Sequence, residues 1–382
     1  MADATLSREN AVALSIFASY FIIIVSLFYL IISSIRKNAV SQKDRSGVWV
    51  WSGLAVASFG FTWYWMFIFM IWSFHDHERK VSTEALKHTI LERMTSWLTN
   101  TDLFKQACAI VCSSPLNWWW SEQLCLFTAG AFTIFLYIHR ERVPHTWAYM
   151  LLGQVLAISV AWCLFNLALV LVPWHPGQER TQKQLPLSLT VPVLLSFLTI
   201  SLSPYTTELS FLPNLLIMHA LLIVPLVPPF SRIRSSPLSP KTTSFYTLVA
   251  LLALLLRIRT LSKTLYFLQV TSSPFFSWRH PRDAIVILWN APGVLFGAAL
   301  GMLHSHPAQA SIGWDIIWTS IGWLCWCLCG DRNPDAQWST TETVRNLFPT
   351  IVASVGVTAP MEIGHQLREK SSVKEEAPLK EE

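Results

Sequence analysis

AVALSIFASYFIIIVSLFYLIISS, residues Ala11–Ser34, carries no charged side chain from end to end. At 1.5 Å per residue it makes a helix of about 36 Å, enough to cross roughly 30 Å of hydrocarbon with some tilt. The ten residues before it, Met1 to Asn10, hold Asp3 and Glu9 beside Arg8, and no small-residue cleavage site follows the apolar run. That is not signal-peptide anatomy, so the run is expected to stay in the chain as a span.

Similar runs recur near Val48–Phe74, Trp118–Ile138, Trp147–Val172, Leu187–Leu202, Phe211–Val227, Ser244–Phe267, Asp283–Leu303 and Ala308–Cys329. Leu187–Leu202 is short and bracketed by prolines, and the Ser244 run is interrupted by Arg257, Arg259 and Lys263. Eight or nine crossings are therefore expected. The composition agrees: of 382 residues, 52% are hydrophobic and 13% charged, against about 25% charged in soluble domains. Many of the 19 Trp lie near run ends, among them Trp49, Trp72, Trp118 and Trp147, where an indole suits the headgroup level. The fold class read from this pattern is all-α: a polytopic helix bundle in a membrane, endomembrane and ER foremost, over residues 1–330.

The connection His75 to Asn117 mixes Ile90, Leu91, Trp97 and Leu98 with charges and reads as an interfacial helix. Residues 331–382 turn polar, offer one short apolar stretch at Leu347–Met361 and end in a Lys and Glu mixture, Ser371–Glu382, which predicts a mostly disordered tail. Lys and Arg fall on both sides of any alternating assignment, so the loops leave orientation open. The net charge of +5 is spread over loops without a basic, aromatic-interleaved run, so no nucleic-acid partner is expected. Neither the seven Cys nor the eleven His follow a metal-ligand spacing, and no D-D-x-x-D run or Gly-rich phosphate loop occurs. No metal and no cofactor are expected. Cys325, Cys327 and Cys329 read as small hydrophobes or as palmitoylation sites at a span end.

Polar groups inside apolar spans are costly, and each needs a partner or a wet cavity. Ser311, Asp315 and Thr319 share one face of the last span, beside Trp314 and Trp318. Either Asp315 lines a cavity or it is solvated in the first turns. Asn290 sits mid-span, as substrate contact or interhelical hydrogen bond, near Gly293, Gly297 and Gly301, whose spacing favours close helix packing. In the third span Trp118, Trp119 and Trp120 precede Glu122. Three successive indoles point about 100° apart, so at least one must face the interior. The alternative is an interfacial anchor with Glu122 favoured by the helix dipole. Asp102 completes the candidate acids, with an N-cap as its plain reading.

The Trp-rich acidic third span, Ser311–Asp315 after His304 and His306, and Thr101–Phe104 together resemble the membrane-bound terpene cyclases of the ascochlorin and ascofuranone pathways, over Thr101 to Cys329. The resemblance implies a cofactor-free, acid-catalysed cyclisation of an epoxidised or hydroxylated farnesyl chain on an aromatic ring. Glu122, Asp315 and Asp102 are then the candidate catalytic acids, and Asn290, Trp119, Trp120, Trp314 and Trp318 the candidate substrate contacts. The implied partners are a prenylated aromatic substrate, the bilayer, and a pathway prenyltransferase or oxygenase. A transporter or a non-catalytic membrane component is the competing reading.

Overall fold

The computed structural model describes residues 8–40, 46–81, 89–173, 183–207, 209–233, 235–272, 293–329 and 340–376. Every extended element in them is a helix: α1 (Arg8–Asn38), α2 (Ser46–Lys80), α3 (Ile90–Asn100), α4 (Leu103–Ile110), α5 (Pro115–Ile138), α6 (Thr146–Val155), α7 (Ile158–Leu171), α8 (Leu187–Leu202), α9 (Phe211–Ile223), α10 (Thr242–Ser272), α11 (Gly293–Leu303), α12 (Pro307–Cys329), α13 (Thr340–Val352) and α14 (Val355–Glu376). Five of them, α1, α2, α5, α8 with the turn that continues it to Tyr205, and α10, are long and apolar enough to cross a membrane. The expected all-α bundle is the fold.

The helices run between two ends. At the first, Asn10 of α1 accepts from Thr99 of α3 (3.1 Å), His77 of α2 meets Ser96 of α3 (3.2 Å), and Asn117 of α5 donates to Gln309 of α12 (2.8 Å). At the second, the Val40 amide donates to the Leu171 carbonyl (3.0 Å), Arg140 to the Ser231 carbonyl (2.9 Å), and the Thr242 amide to the Lys183 carbonyl (3.0 Å). The connection between α2 and α5, read from sequence as an interfacial helix, holds two short helices, α3 and α4. Thr89 and Glu92 form a capping box that starts α3. Trp97 and Leu103 turn inward onto Phe69 and Met70 of α2.

The run Trp147–Val172 is not one span. In an unbroken helix Gly153 and Ala161 would be about 12 Å apart along the axis. Here a Cβ on Gly153 would lie 3.3 Å from the Ala161 Cβ, so the chain doubles back at the extended residue Ala157. Two helices of 10 and 14 residues result, about 15 and 21 Å long and too short to cross alone. Run length cannot tell one buried helix from two. The hairpin enters from the second end, and its tip stops near mid-height, where Tyr20 of α1 donates to the Val155 carbonyl (2.7 Å).

The tail is a second correction. Residues 340–376, expected to be disordered, form α13 and α14, a hairpin joined by the Thr350–Thr358 hydrogen bond (2.9 Å) and by Arg345, which donates to both oxygens of Glu362 at 2.7 Å. The apolar stretch Leu347–Met361 holds Val355 and Ala359, which with Ile363 follow a four-residue spacing and are all buried. Gly356 lets α14 close on α5: a Cβ there would sit 2.6 Å from the Leu126 Cβ and 3.0 Å from the Phe127 amide nitrogen. Further along, Gly364 packs on Tyr246 and Arg368 reaches Thr247, so this hairpin also rises from the second end. Of the run Asp283–Leu303, the described part is α11, and residues 377–382 lie outside the described residues.

Candidate functional site

Helix α5 begins at Ser114, whose hydroxyl accepts from the Asn117 amide (3.2 Å), with Pro115 in the first turn. Trp118, Trp119, Trp120 and Glu122 therefore occupy its second turn, Glu122 about 10 Å along the axis. All four are buried, Glu122 completely at 0% exposure. The three indoles point to different neighbours, as the 100° step requires. Trp118 joins the central core, while Trp120 donates to the Ala299 carbonyl of α11 (3.0 Å) and meets Trp119 edge to face at 5.1 Å.

Glu122 meets α10. Its Oε2 accepts from Arg257 (3.2 Å) and its Oε1 from the Thr260 hydroxyl (2.7 Å), with the Arg259 guanidinium 3.9 Å away. Arg257 is itself buried and donates further to the Trp119 carbonyl (2.9 Å) and the Ala353 carbonyl at the tip of the α13–α14 hairpin (3.1 Å). Its guanidinium also lies over the Trp119 ring, 5.0 Å from the centroid. One ion pair thus joins α5, α10 and the second hairpin.

Asp315 is the ninth residue of α12, about 12 Å along the axis and well past the first turns. It is buried, with Oδ2 accepting from the Ile158 amide (3.0 Å) and Oδ1 from the Ser159 amide (2.8 Å). These are the first two amides of α7, which a buried helix start must otherwise leave unpaired. Residue Arg142 answers at the other end of α7, donating to the Val172 carbonyl (2.7 Å) and the Leu169 carbonyl. An acid at the positive end and a base at the negative end hold the short helix. No Lys, Arg or His among the described residues pairs with Asp315.

Trp119, Trp120, Ala299, Leu303 and Ile316 form an apolar cluster, and Ile316 adjoins Asp315 in sequence. Trp119 carries Arg257 over its ring and, through it, Glu122. Glu122, Trp119 and Trp120 thus share one neighbourhood by way of Arg257 and the ring contact, while the Asp315 carboxyl faces the start of α7. Trp314 and Trp318 lie elsewhere, on the α12 face toward α2, 4.9 and 5.5 Å from the ring of Phe61, with Trp314 donating to His304 (3.2 Å). Asp102 is apart from both acids. Its side chain is 81% exposed at the start of α4, 3.7 Å from Lys105, and makes no cap hydrogen bond. Asn290 lies outside the described residues.

Sequence reading passed over Arg257, Thr260 and Arg142 as site residues. The Arg257, Arg259 and Lys263 that interrupt the Ser244 run were read only as weakening that span, although an Arg deep in an apolar run calls for a buried acid, a signal that could have matched Arg257 to Glu122. Among the described residues no group of three or more His, Cys, Asp or Glu is placed to hold a metal. Comparison with protein-family models, with curated proteins and with solved structures finds no match.

Proposed function

We propose that the chain is a multi-pass integral membrane enzyme, a terpene cyclase that closes an epoxidised or hydroxylated prenyl chain borne by an aromatic ring. The observation that carries this reading is the indole cluster of Trp119 and Trp120 beside the buried Glu122–Arg257 pair, with Ile316 of that cluster next in sequence to the buried Asp315. Glu122 is committed to Arg257. Asp315 has no cationic partner among the described residues and is the acid we assign to protonate the epoxide oxygen.

Protonation opens the epoxide, the alkene π electrons close the ring, and loss of a proton from the final cation gives a product of unchanged mass. Indole faces stabilise a passing cation by about 0.5–2 kcal/mol each and are poor traps for it. That Trp119 already holds a guanidinium over its ring is in keeping with this role. Substrate contacts at Trp314 and Trp318, and roles for Asn290 and Asp102, are not needed by this mechanism. The pathway prenyltransferase and oxygenase are the enzymes that would deliver such a substrate.

The test is to supply membranes holding the chain with a farnesylated aromatic epoxide and look for an isomer of equal mass. Asp315→Asn is expected to lower the rate by about a hundredfold or more, as loss of a positioned acid does. Wild-type rates in that variant would overturn the assignment. A transporter remains the second reading because the α6–α7 tip is a broken helix inside the bundle, a feature of secondary transporters. Against it, the buried start of α7 is already filled by Asp315. Leaky membranes separate the two, since only an enzyme keeps its activity in them.

A further inference from the structure

The two hairpins change the bookkeeping of loops. Each leaves and returns to the second end, so that end collects connections which an unbroken span at Trp147–Val172 would have divided between the two sides. The Lys and Arg of the short connections then sort unequally.

At the first end Lys80 pairs with Asp76 (2.7 Å), Arg93 with Glu78, and Lys105 stands 3.7 Å from Asp102, while Arg79 donates to the His75 carbonyl and Lys263 to the Tyr205 hydroxyl (2.7 Å). At the second end Arg36, Lys37, Lys183, Arg232 and Lys241 are exposed, and no acid among the described residues pairs with them. Glu141 at that end is tied to Arg140 (3.6 Å). The connection from α9 to α10 also interleaves its bases with apolar side chains that face outward: Phe230 (46% exposed), Ile233 (47%) and Leu238 (82%). Exposed apolar and basic residues side by side at a span end fit the boundary of an anionic leaflet, where acyl chains meet negative headgroups. Short loops rich in Lys and Arg stay on the cytosolic side.

Resting on the membrane reading above, we infer that the second end faces the cytosol and seats the Phe230–Lys241 connection among anionic phospholipid headgroups. Both hairpins then enter from the cytosolic side, while α3 and α4 lie on the lumenal surface.

Two single-cysteine additions test it in sealed microsomes, whose cytosolic face is outward. Lys183→Cys at the second end, exposed and outside the lipid-seated connection, is expected to react with a membrane-impermeant maleimide in intact vesicles, above the wild-type background. Lys80→Cys at the first end is expected to react only after permeabilisation. The reverse pattern, or protection of both, overturns the orientation. Reaction of both in intact vesicles, with release of the chain by alkaline carbonate, would instead overturn the membrane reading.

The lipid contact is tested with an environment-sensitive dye on Leu238→Cys in reconstituted vesicles. Its emission should shift to the blue in equimolar phosphatidylcholine and phosphatidylserine relative to phosphatidylcholine alone. The difference should vanish in a chain also carrying Arg232→Gln and Lys241→Gln. Equal emission in the two lipids overturns the anionic contact.

Discussion

Arg257 sits 4% exposed among apolar neighbours, with Glu122 at 0% as its acidic partner. Removing one member of such a pair strands the other charge, which costs about 3–5 kcal/mol, whereas replacing both with apolar residues is often close to neutral. Arg257→Met should therefore lower the melting temperature in detergent far more than the double variant Glu122→Leu, Arg257→Met. Equal destabilisation by the two would show that Thr260 and the backbone carbonyls, rather than the charge pair, set the energetics. Neither residue is an obvious partner of the other from the chain alone, because 135 positions separate them. What can be read locally is that each needs one. The same holds for Asp315: its polar face on α12 was legible, but the two amides it satisfies belong to a break in α7 that composition does not mark.

At the scale of elements, Ser354 is the pivot of the second hairpin. Its φ of 112° lies where L residues are strained, and its hydroxyl is buried without a hydrogen-bond partner. Ser354→Gly relieves both, and should stabilise the protein by about 1 kcal/mol, seen as a higher melting temperature. Gly356, two residues on, should behave oppositely. Even an added methyl there meets the Leu126 Cβ at 2.6 Å and backbone atoms of α5, so Gly356→Ala is expected to cost about 1–3 kcal/mol by overpacking. The apolar spans themselves were plain in the sequence because their length and lack of charge are local properties. The hairpins were not, since whether an apolar run continues or folds back depends on neighbours that sequence does not place beside it. Gly153 and Gly356 are the residues that permit the close approach, yet nothing nearby distinguishes them from the open glycines Gly53 and Gly60.

For the whole molecule, α14 is part of the core and not an appendage. Val355, Val357, Ala359 and Ile363 belong to the same buried cluster as α5, α7 and α10. Deleting residues 340–382 should therefore abolish a cooperative melting transition, or leave the chain aggregated by size-exclusion chromatography. A disordered tail would have been removable without effect. The central position of α7 has a similar reach. Its ends are held by residues from α12 and from the connection after α5, and its sides by bulky rings: Trp162 meets Phe127 at 5.3 Å and Phe135 at 5.2 Å.

The pairing of Asp315 with the start of α7 also dictates an order of assembly. The acceptor lies 157 residues after the Ile158 amide it satisfies, so while the chain is being made α7 has no cap until α12 emerges. A 14-residue helix is too short to be retained as a crossing by itself. During synthesis the first hairpin is thus a segment awaiting its lock, and interrupted chains that stop short of Asp315 should be the ones that cellular quality control removes fastest.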